Sequence, residues 1–310
     1  MLEFCLSMFF FRPYSIKEVL LYFWPRFLFK ATRCQFKESL RRISVQQRQY
    51  EMQSGLLSSK ARIDPWAFIR VKDERATLLA SLNSILPVIH KGVIAYNDCT
   101  DGSDEIIERF CRDNPGFKPF KYPYSVEPAG SIKYETGELK EENTLAGYYN
   151  AVLQKIPNNV WIIKIDVDQI YFPNILEHSF YLPRTINDVV SYSRLNVIRD
   201  SNNNLKVIGY VRPGDHWLVF NKDLYFVNVS GRDERGNFYS YEQIKLKRKE
   251  PSFKPECSSI HFPFEKKYRK FIGSTKSLVS FDDFLQSADK SEFSDELVSI
   301  VETINKFDTD

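Results

Sequence analysis

Two aspartates separated by one valine, Asp166-Val167-Asp168, follow directly on the apolar run Val160 to Ile165. At the end of a buried strand, two such carboxylates can address the same hard cation, which favours oxygen ligands and bridges phosphates. The cation would neutralise charge building on a departing diphosphate, the Lewis-acid role. Triplets of this kind also arise by chance, and Asp308-Thr309-Asp310 is a second one at the tail. What separates the first from the second is its setting behind a continuous apolar strand.

Other residues can complete such a site. A neutral imidazole is a suitable third ligand. His261, in Ser258-Ser259-Ile260-His261-Phe262-Pro263, leads His216 for that place, whereas His90 and His178 read as structural. Asp98 and Asp101 sit in Asn97-Asp98-Cys99-Thr100-Asp101-Gly102-Ser103. Either can accept hydrogen bonds from a nucleobase or ribose, or simply build the turn. Arg70 can contact phosphate, or pair with Asp73 or Glu74. A hydroxyl that attacks an electrophilic carbon needs a carboxylate to take its proton. Asp215, in a Pro-Gly turn, and Glu242, between Tyr239, Tyr241 and an oncoming strand, are preferred to Asp233 and Glu234 for this role.

The surrounding pattern supplies elements to hold these groups. Trp66 to Val71 reads as a strand. The three- and four-residue spacing of Ala76, Leu78, Leu79, Leu82, Ile85, Leu86 and Ile89 predicts an amphipathic helix. Lys91 to Tyr96 and Phe117 to Tyr122 are further strands, with a helix from Ser103 or Asp104 between them. Residues 124–140 read as a mobile loop, followed by a helix through Ala146, Tyr149, Val152 and Ile156. Strands are predicted at Val189 to Val197, Leu205 to Val211 and Trp217 to Phe220. Alternating helices and unalternating apolar strands imply an α/β fold with a largely parallel sheet covered on both faces. Ligands in such folds lie at the carboxyl ends of the strands, where Arg70, Asp98, Asp101, Asp166 and Asp168 all fall.

Composition narrows the partners. The five cysteines are widely spaced without a CxxC pair, which argues against structural zinc and for a reducing compartment. Net charge is +3, yet residues 1–62 alone carry eleven Lys/Arg against four acidic residues. This basic stretch is rich in Phe, Leu and Trp, so it suits an anionic membrane surface rather than nucleic acid. Charges and prolines interrupt it before the roughly 20 apolar residues a bilayer crossing needs, and no small-residue cleavage site marks it as a signal peptide.

Several blocks together resemble a known family. Pro65 to Lys72, Tyr96 to Ser103, Lys121 to Tyr124, Ile163 to Asp168, Val189 to Arg194 and Pro213 to His216 look like those of the Campylobacter-type lipooligosaccharide β-1,4-N-acetylgalactosaminyltransferases. The similarity runs over residues 64–225 and fades beyond. It implies a GT-A type nucleotide-binding fold, a UDP-sugar donor such as UDP-N-acetylgalactosamine, and Mn²⁺ or Mg²⁺ held through Asp166 and Asp168. It also implies inversion at the anomeric carbon, and a glycolipid or oligosaccharide acceptor at the cytoplasmic face of the inner membrane. Asp98 or Asp101 matches the uracil-binding position. The expected organisation is a basic helical segment over 1–62, a transferase domain over 63–281 (donor half 63–168, acceptor half 169–281), and an acidic helix and tail over 282–310. The competing readings are a non-catalytic binding protein on a degenerate transferase fold and a nucleotidyltransferase. The latter lacks its glycine-rich phosphate loop, since Val71-Lys72-Asp73-Glu74-Arg75 has no glycine.

Overall fold

The computed structural model describes residues 62–211, 216–246, 253–255, 257–266 and 278–287. The basic segment over 1–62, apart from Arg62, lies outside them, as do Asp215 and the tail triplet. The chain begins β1 (Trp66–Val71), α1 (Arg75–Ile85), β2 (Gly92–Tyr96), α2 (Ser103–Asp113), β3 (Phe117–Lys121). It continues α3 (Ile132–Thr136), a 3₁₀ turn, α4 (Leu145–Leu153), β4 (Trp161–Asp166), β5 (Gln169–Tyr171), α5 (Pro173–Ser179). Then follow β6 (Val190–Ser191), β7 (Ser193–Arg199), β8 (Leu205–Val211), β9 (Trp217–Phe220), β10 (Phe226–Arg232), β11 (Phe238–Ile244), β12 (Cys257–His261), β13 (Val279–Ser280) and α6 (Phe281–Ser287).

The first sheet has the order β3-β2-β1-β4-β9-β6. Strands β3, β2, β1 and β4 are parallel, and β9 and β6 join antiparallel. Parallel strands need crossovers, and α1, α2 and α4 supply them. Residues of β1 are buried on both faces, which is why its sequence shows no alternation. Register sets Phe68 beside Lys164 and Arg70 beside Asp166. Side chains two apart on a strand share a face, so Arg70, Lys164 and Asp166 point to one side of the sheet. On that side Phe68, 1% exposed, packs against the rings of Tyr149, Trp217 and Phe226, with centroids 5.5, 6.1 and 5.8 Å away. Burying such a side chain is worth about 1.5–3 kcal/mol, and here it joins sheet, α4 and β10.

The second half departs from a simple parallel sheet. A five-stranded sheet of order β13-β8-β7-β12-β5 is antiparallel except at β7–β12, and β10–β11 form a separate hairpin. The single strand predicted over Val189 to Val197 is in fact two. The chain leaves the first sheet after Ser191 and enters the second at Ser193, and between them buried Tyr192 shares a hydroxyl–hydroxyl hydrogen bond of 2.7 Å with Ser179. The first helix stops at Ile85 rather than running to Ile89: Leu86 still has helical backbone, but Pro87 has no N–H to carry the hydrogen-bond ladder on. The loop expected over 124–140 contains α3, closed by Gly137 in the left-handed region at φ 71°. Thr144 caps α4 by accepting from the Gly147 amide at 3.0 Å.

Candidate active site

The carboxyl ends of β1, β2 and β4 converge as expected for a parallel sheet, and the chain beyond β4 closes the crevice. Asp166 ends β4, and its carboxylate Oδ2 meets Lys164 Nζ at 3.1 Å and His216 Nε2 at 2.9 Å. Its backbone amide donates to the Tyr171 hydroxyl at 2.8 Å. Asp168, 3% exposed, meets His261 Nε2 at 3.1 Å and Lys266 Nζ at 2.9 Å, again through Oδ2. Among the described residues no hydrogen bond reaches Oδ1 of either aspartate. Burial alone would push both carboxyls up. The neighbours win: Lys164 and His216 hold Asp166 well below the usual carboxylate range, and His261 and Lys266 do the same for Asp168. Both are therefore anions at neutral pH.

Lys266 reaches further, to Glu74 Oε1 at 2.9 Å. Its pKa is raised: burial would lower it, but Asp168 and Glu74 together outweigh that. Glu74 is 6% exposed, and burial pushes its carboxyl up to about 7 from an ordinary 4.5 despite Lys266. A carboxyl raised on folding favours the protonated fold, so this contribution is complete below about pH 4.5 and is lost as pH rises through about 7. Glu74→Gln is accordingly expected to melt with the wild type near pH 4.5 but several degrees above it at pH 8, for roughly 2–3 kcal/mol. A lower melting temperature for the variant at pH 8 would show the Glu74 charge to be stabilising.

The three residues expected to hold a cation are not gathered into one cluster. His261 joins Asp168, but Asp166 is held by Lys164 and His216 instead, and among the described residues no three His, Cys, Asp or Glu side chains form a ready metal site. The donor chemistry nevertheless fits. His261 Nδ1 lies 2.8 Å from the Asn196 carbonyl Oδ1 and so donates to it. In the neutral ring this leaves the Nε2 lone pair aimed at the Asp168 carboxylate. Two electron-rich atoms 3.1 Å apart are reconciled by a second ring proton or by a cation. Carboxylate oxygens with one imidazole nitrogen suit Mn²⁺ or Mg²⁺.

A family model for the β-1,4-N-acetylgalactosaminyltransferases (CgtA) matches residues 47–301. The chain belongs to that family. The CgtA match reaches well past residue 225, where the resemblance read from the sequence fades, and so takes in Glu242, His261 and Lys266. Membership sets the chain in a glycosyltransferase family. None of the curated proteins compared with it matches. One similar solved structure is glucosyl-3-phosphoglycerate synthase from Mycobacterium tuberculosis in complex with Mn²⁺, UDP and phosphoglyceric acid, at 17% identity and a TM-score of 0.28. That likeness covers 46% of this chain and 45% of the synthase, so the chain spans under half the length of that protein.

The remaining candidates of this CgtA member divide. Asp101 is consumed in the turn: it accepts from the Arg75 amide at 2.9 Å and from the Ser103 amide and hydroxyl at 2.9 and 2.6 Å. Asp98 sits at φ 46° with its carboxylate 3.6 Å from Lys72 and facing the Ser125 hydroxyl at 3.3 Å. Such left-handed backbone in a non-glycine residue is uncommon, and Asp73 at the end of β1 shares it at φ 52°. Arg70 lays its guanidinium over the Tyr149 ring at 5.7 Å, and its Nε is buried without a partner. Glu242 lies on β11 opposite Asn228, on the side of the hairpin turned to α4. Its charge and that of Asp166 act on the same Tyr149 hydroxyl, which burial above all pushes up to about 12. Asp233 accepts from Arg235 and Asn237 in the exposed hairpin turn, which removes it from contention. His90 is exposed and His178 lies on α5.

Lys164, Arg194 and Lys266 were not singled out from the sequence, and Glu74 entered only as a partner for Arg70. Lys266 and Glu74 are 192 positions apart, and no local spacing announces such a pair.

Proposed function

We propose that this chain is an inverting transferase of the GT-A type. It moves N-acetylgalactosamine from its UDP-sugar to a lipooligosaccharide or other surface-glycan acceptor. The observation that carries the reading is the pair Asp166 and Asp168 at the end of β4, each anchored through Oδ2 and each presenting an Oδ1 that no described residue takes. Asp166, Asp168 and His261 would hold Mn²⁺ or Mg²⁺, which when bound supplies neutralisation of charge on the diphosphate.

This chain's own residues do the rest. Arg70, with its unpartnered Nε, faces the phosphates. Asp98 accepts from the uridine. Glu242 takes the proton of the acceptor hydroxyl as its oxygen bonds to the anomeric carbon and the carbon–oxygen bond to the diphosphate breaks, which inverts the centre. The proton ends on Glu242 and the electron pair on UDP. The basic, aromatic residues 1–62 would bring the enzyme to anionic lipid on the inner face of the inner membrane. No helix among the described residues is long and apolar enough to cross one.

The test is a panel of UDP-sugars with Mn²⁺ and a lipooligosaccharide acceptor, following released UDP and the linkage of the product. Turnover with UDP-N-acetylgalactosamine that stops on chelation supports the reading; undiminished turnover in EDTA overturns the cation's part in it.

A further inference from the structure

His216 and His261 look alike in sequence, yet their surroundings impose opposite tautomers. His216 Nδ1 lies 2.9 Å from a guanidinium nitrogen of Arg194, and its Nε2 lies 2.9 Å from Asp166 Oδ2. A guanidinium has only donors and keeps its charge in proteins, so Nδ1 must accept. A neutral ring that accepts at Nδ1 carries its hydrogen on Nε2, where Asp166 receives it. Gln169 bears on the same atom: its amide end is 2.5 Å from Nε2, and the other end is 2.6 Å from Ser259 Oγ. As placed, Gln169 turns its NH₂ to the ring and accepts from the Ser259 hydroxyl through Oε1; the Nε2–H ring requires the reverse amide orientation, with the carbonyl on the ring and the NH₂ donating to the hydroxyl. His216, Gln169 and Ser259 are 3%, 1% and 1% exposed, so each such bond counts.

His261 is the reverse case. Its Nδ1 faces the Asn196 carbonyl and carries the hydrogen, leaving Nε2 as an electron-pair donor. Arg194 and Asn196 are two apart on β7 and so share a face. Asn196 is also directly in register with His261 across the β7–β12 pair. One strand thus writes both ring states: a cation makes His216 a proton donor, and an amide oxygen makes His261 a ligand.

We propose that Arg194 locks His216 in the Nε2–H tautomer, and that the two are positioning residues that hold Asp166 Oδ2 so that Oδ1 faces the donor. This rests on the reading of Asp166 as a cation-holding carboxylate, but its first readout does not. In metal-free protein with ¹⁵N-labelled histidine, the imidazole resonances of His216, assigned by their loss in His216→Gln, should show hydrogen on Nε2. In Arg194→Met they should shift toward the Nδ1–H form, and Arg194→Lys, which still donates, should restore them. Mn²⁺ affinity by electron paramagnetic resonance and kcat/KM should fall about tenfold to a hundredfold in Arg194→Met, the usual range for partners of metal ligands, and recover largely in Arg194→Lys. His216→Gln should outperform His216→Asn, because only the glutamine amide reaches the Nε2 position. Thermal melts verify that each variant is folded. An Nε2–H signal and affinity untouched by Arg194→Met, or an asparagine variant equal to the glutamine one, would overturn the proposal. Absence of Mn²⁺ binding by the wild type would overturn the cation reading alone, since the resonances still decide the tautomer.

Discussion

Asparagine at position 168 is expected to lower sugar transfer on the order of a thousandfold, about 4 kcal/mol in the barrier, within the several kcal/mol a cation supplies to a developing phosphate charge. The substitution is nearly isosteric, so it removes charge and little else. Asp168 is buried, and its two contacts are both to groups that can be positive, His261 and Lys266. Lys266 keeps Glu74 as a counter-ion in the variant, which limits the penalty of stranding a buried charge. The loss should therefore appear in kcat and in Mn²⁺ affinity, with the melting temperature changed far less than for a collapsed core. Asp308→Asn, in the tail triplet of the same D-x-D form, is the matched control and should transfer at the wild-type rate. Activity of Asp168→Asn within tenfold of wild type would remove Asp168 from the chemistry.

The contrast between the two triplets shows why part of this site was legible in the sequence. Asp166-Val167-Asp168 follows an apolar run whose continuity reports burial on both faces, and a strand of that kind has a carboxyl end where ligands gather. Hence β1, β2, β4 and the positions of Arg70, Asp98 and Asp166 could be placed from periodicity alone. The acceptor half obeys a different logic. At Tyr192 the chain switches sheets in the middle of what reads as one strand, because burial patterns do not reveal which partner an extended segment will choose. The hairpin β10–β11 was missed for a related reason: its outward face carries Tyr239 and Tyr241, 42% and 45% exposed, which blurs the alternation. The balance of charge was the least legible. Lys266 and Glu74 lie far apart in sequence and meet only because β12 returns beside β5, and Asp101, which the sequence leaves open between ligand and turn former, is in space the knot of its own turn.

Glutamine in place of Glu242 is expected to reduce kcat about a hundredfold to ten-thousandfold, the span for removing a positioned general base, while leaving the affinity for the UDP-sugar close to wild type. Glu242 stands on β11, one step along the inward face from Ser240, which accepts from the Gly130 amide at 2.7 Å and so fixes the hairpin to the segment before α3. Asn150 clamps the other end, donating to the Phe226 carbonyl at 3.0 Å and accepting from its amide at 2.7 Å. The hairpin is thus held rigidly against α4, and the base with it. Glu242 and Asp166 both act electrostatically on the Tyr149 hydroxyl, over whose ring the Arg70 guanidinium lies, so the base proposed here borders the groups assigned to the diphosphate. Glutamine matches the shape and cannot take a proton, so donor binding should survive as proton transfer fails. Should calorimetry instead show donor affinity lost together with kcat, Glu242 would be a donor-binding residue. Should kcat stay within a few-fold of wild type, the proton must leave through another group, and Asp215 is the carboxylate to test next.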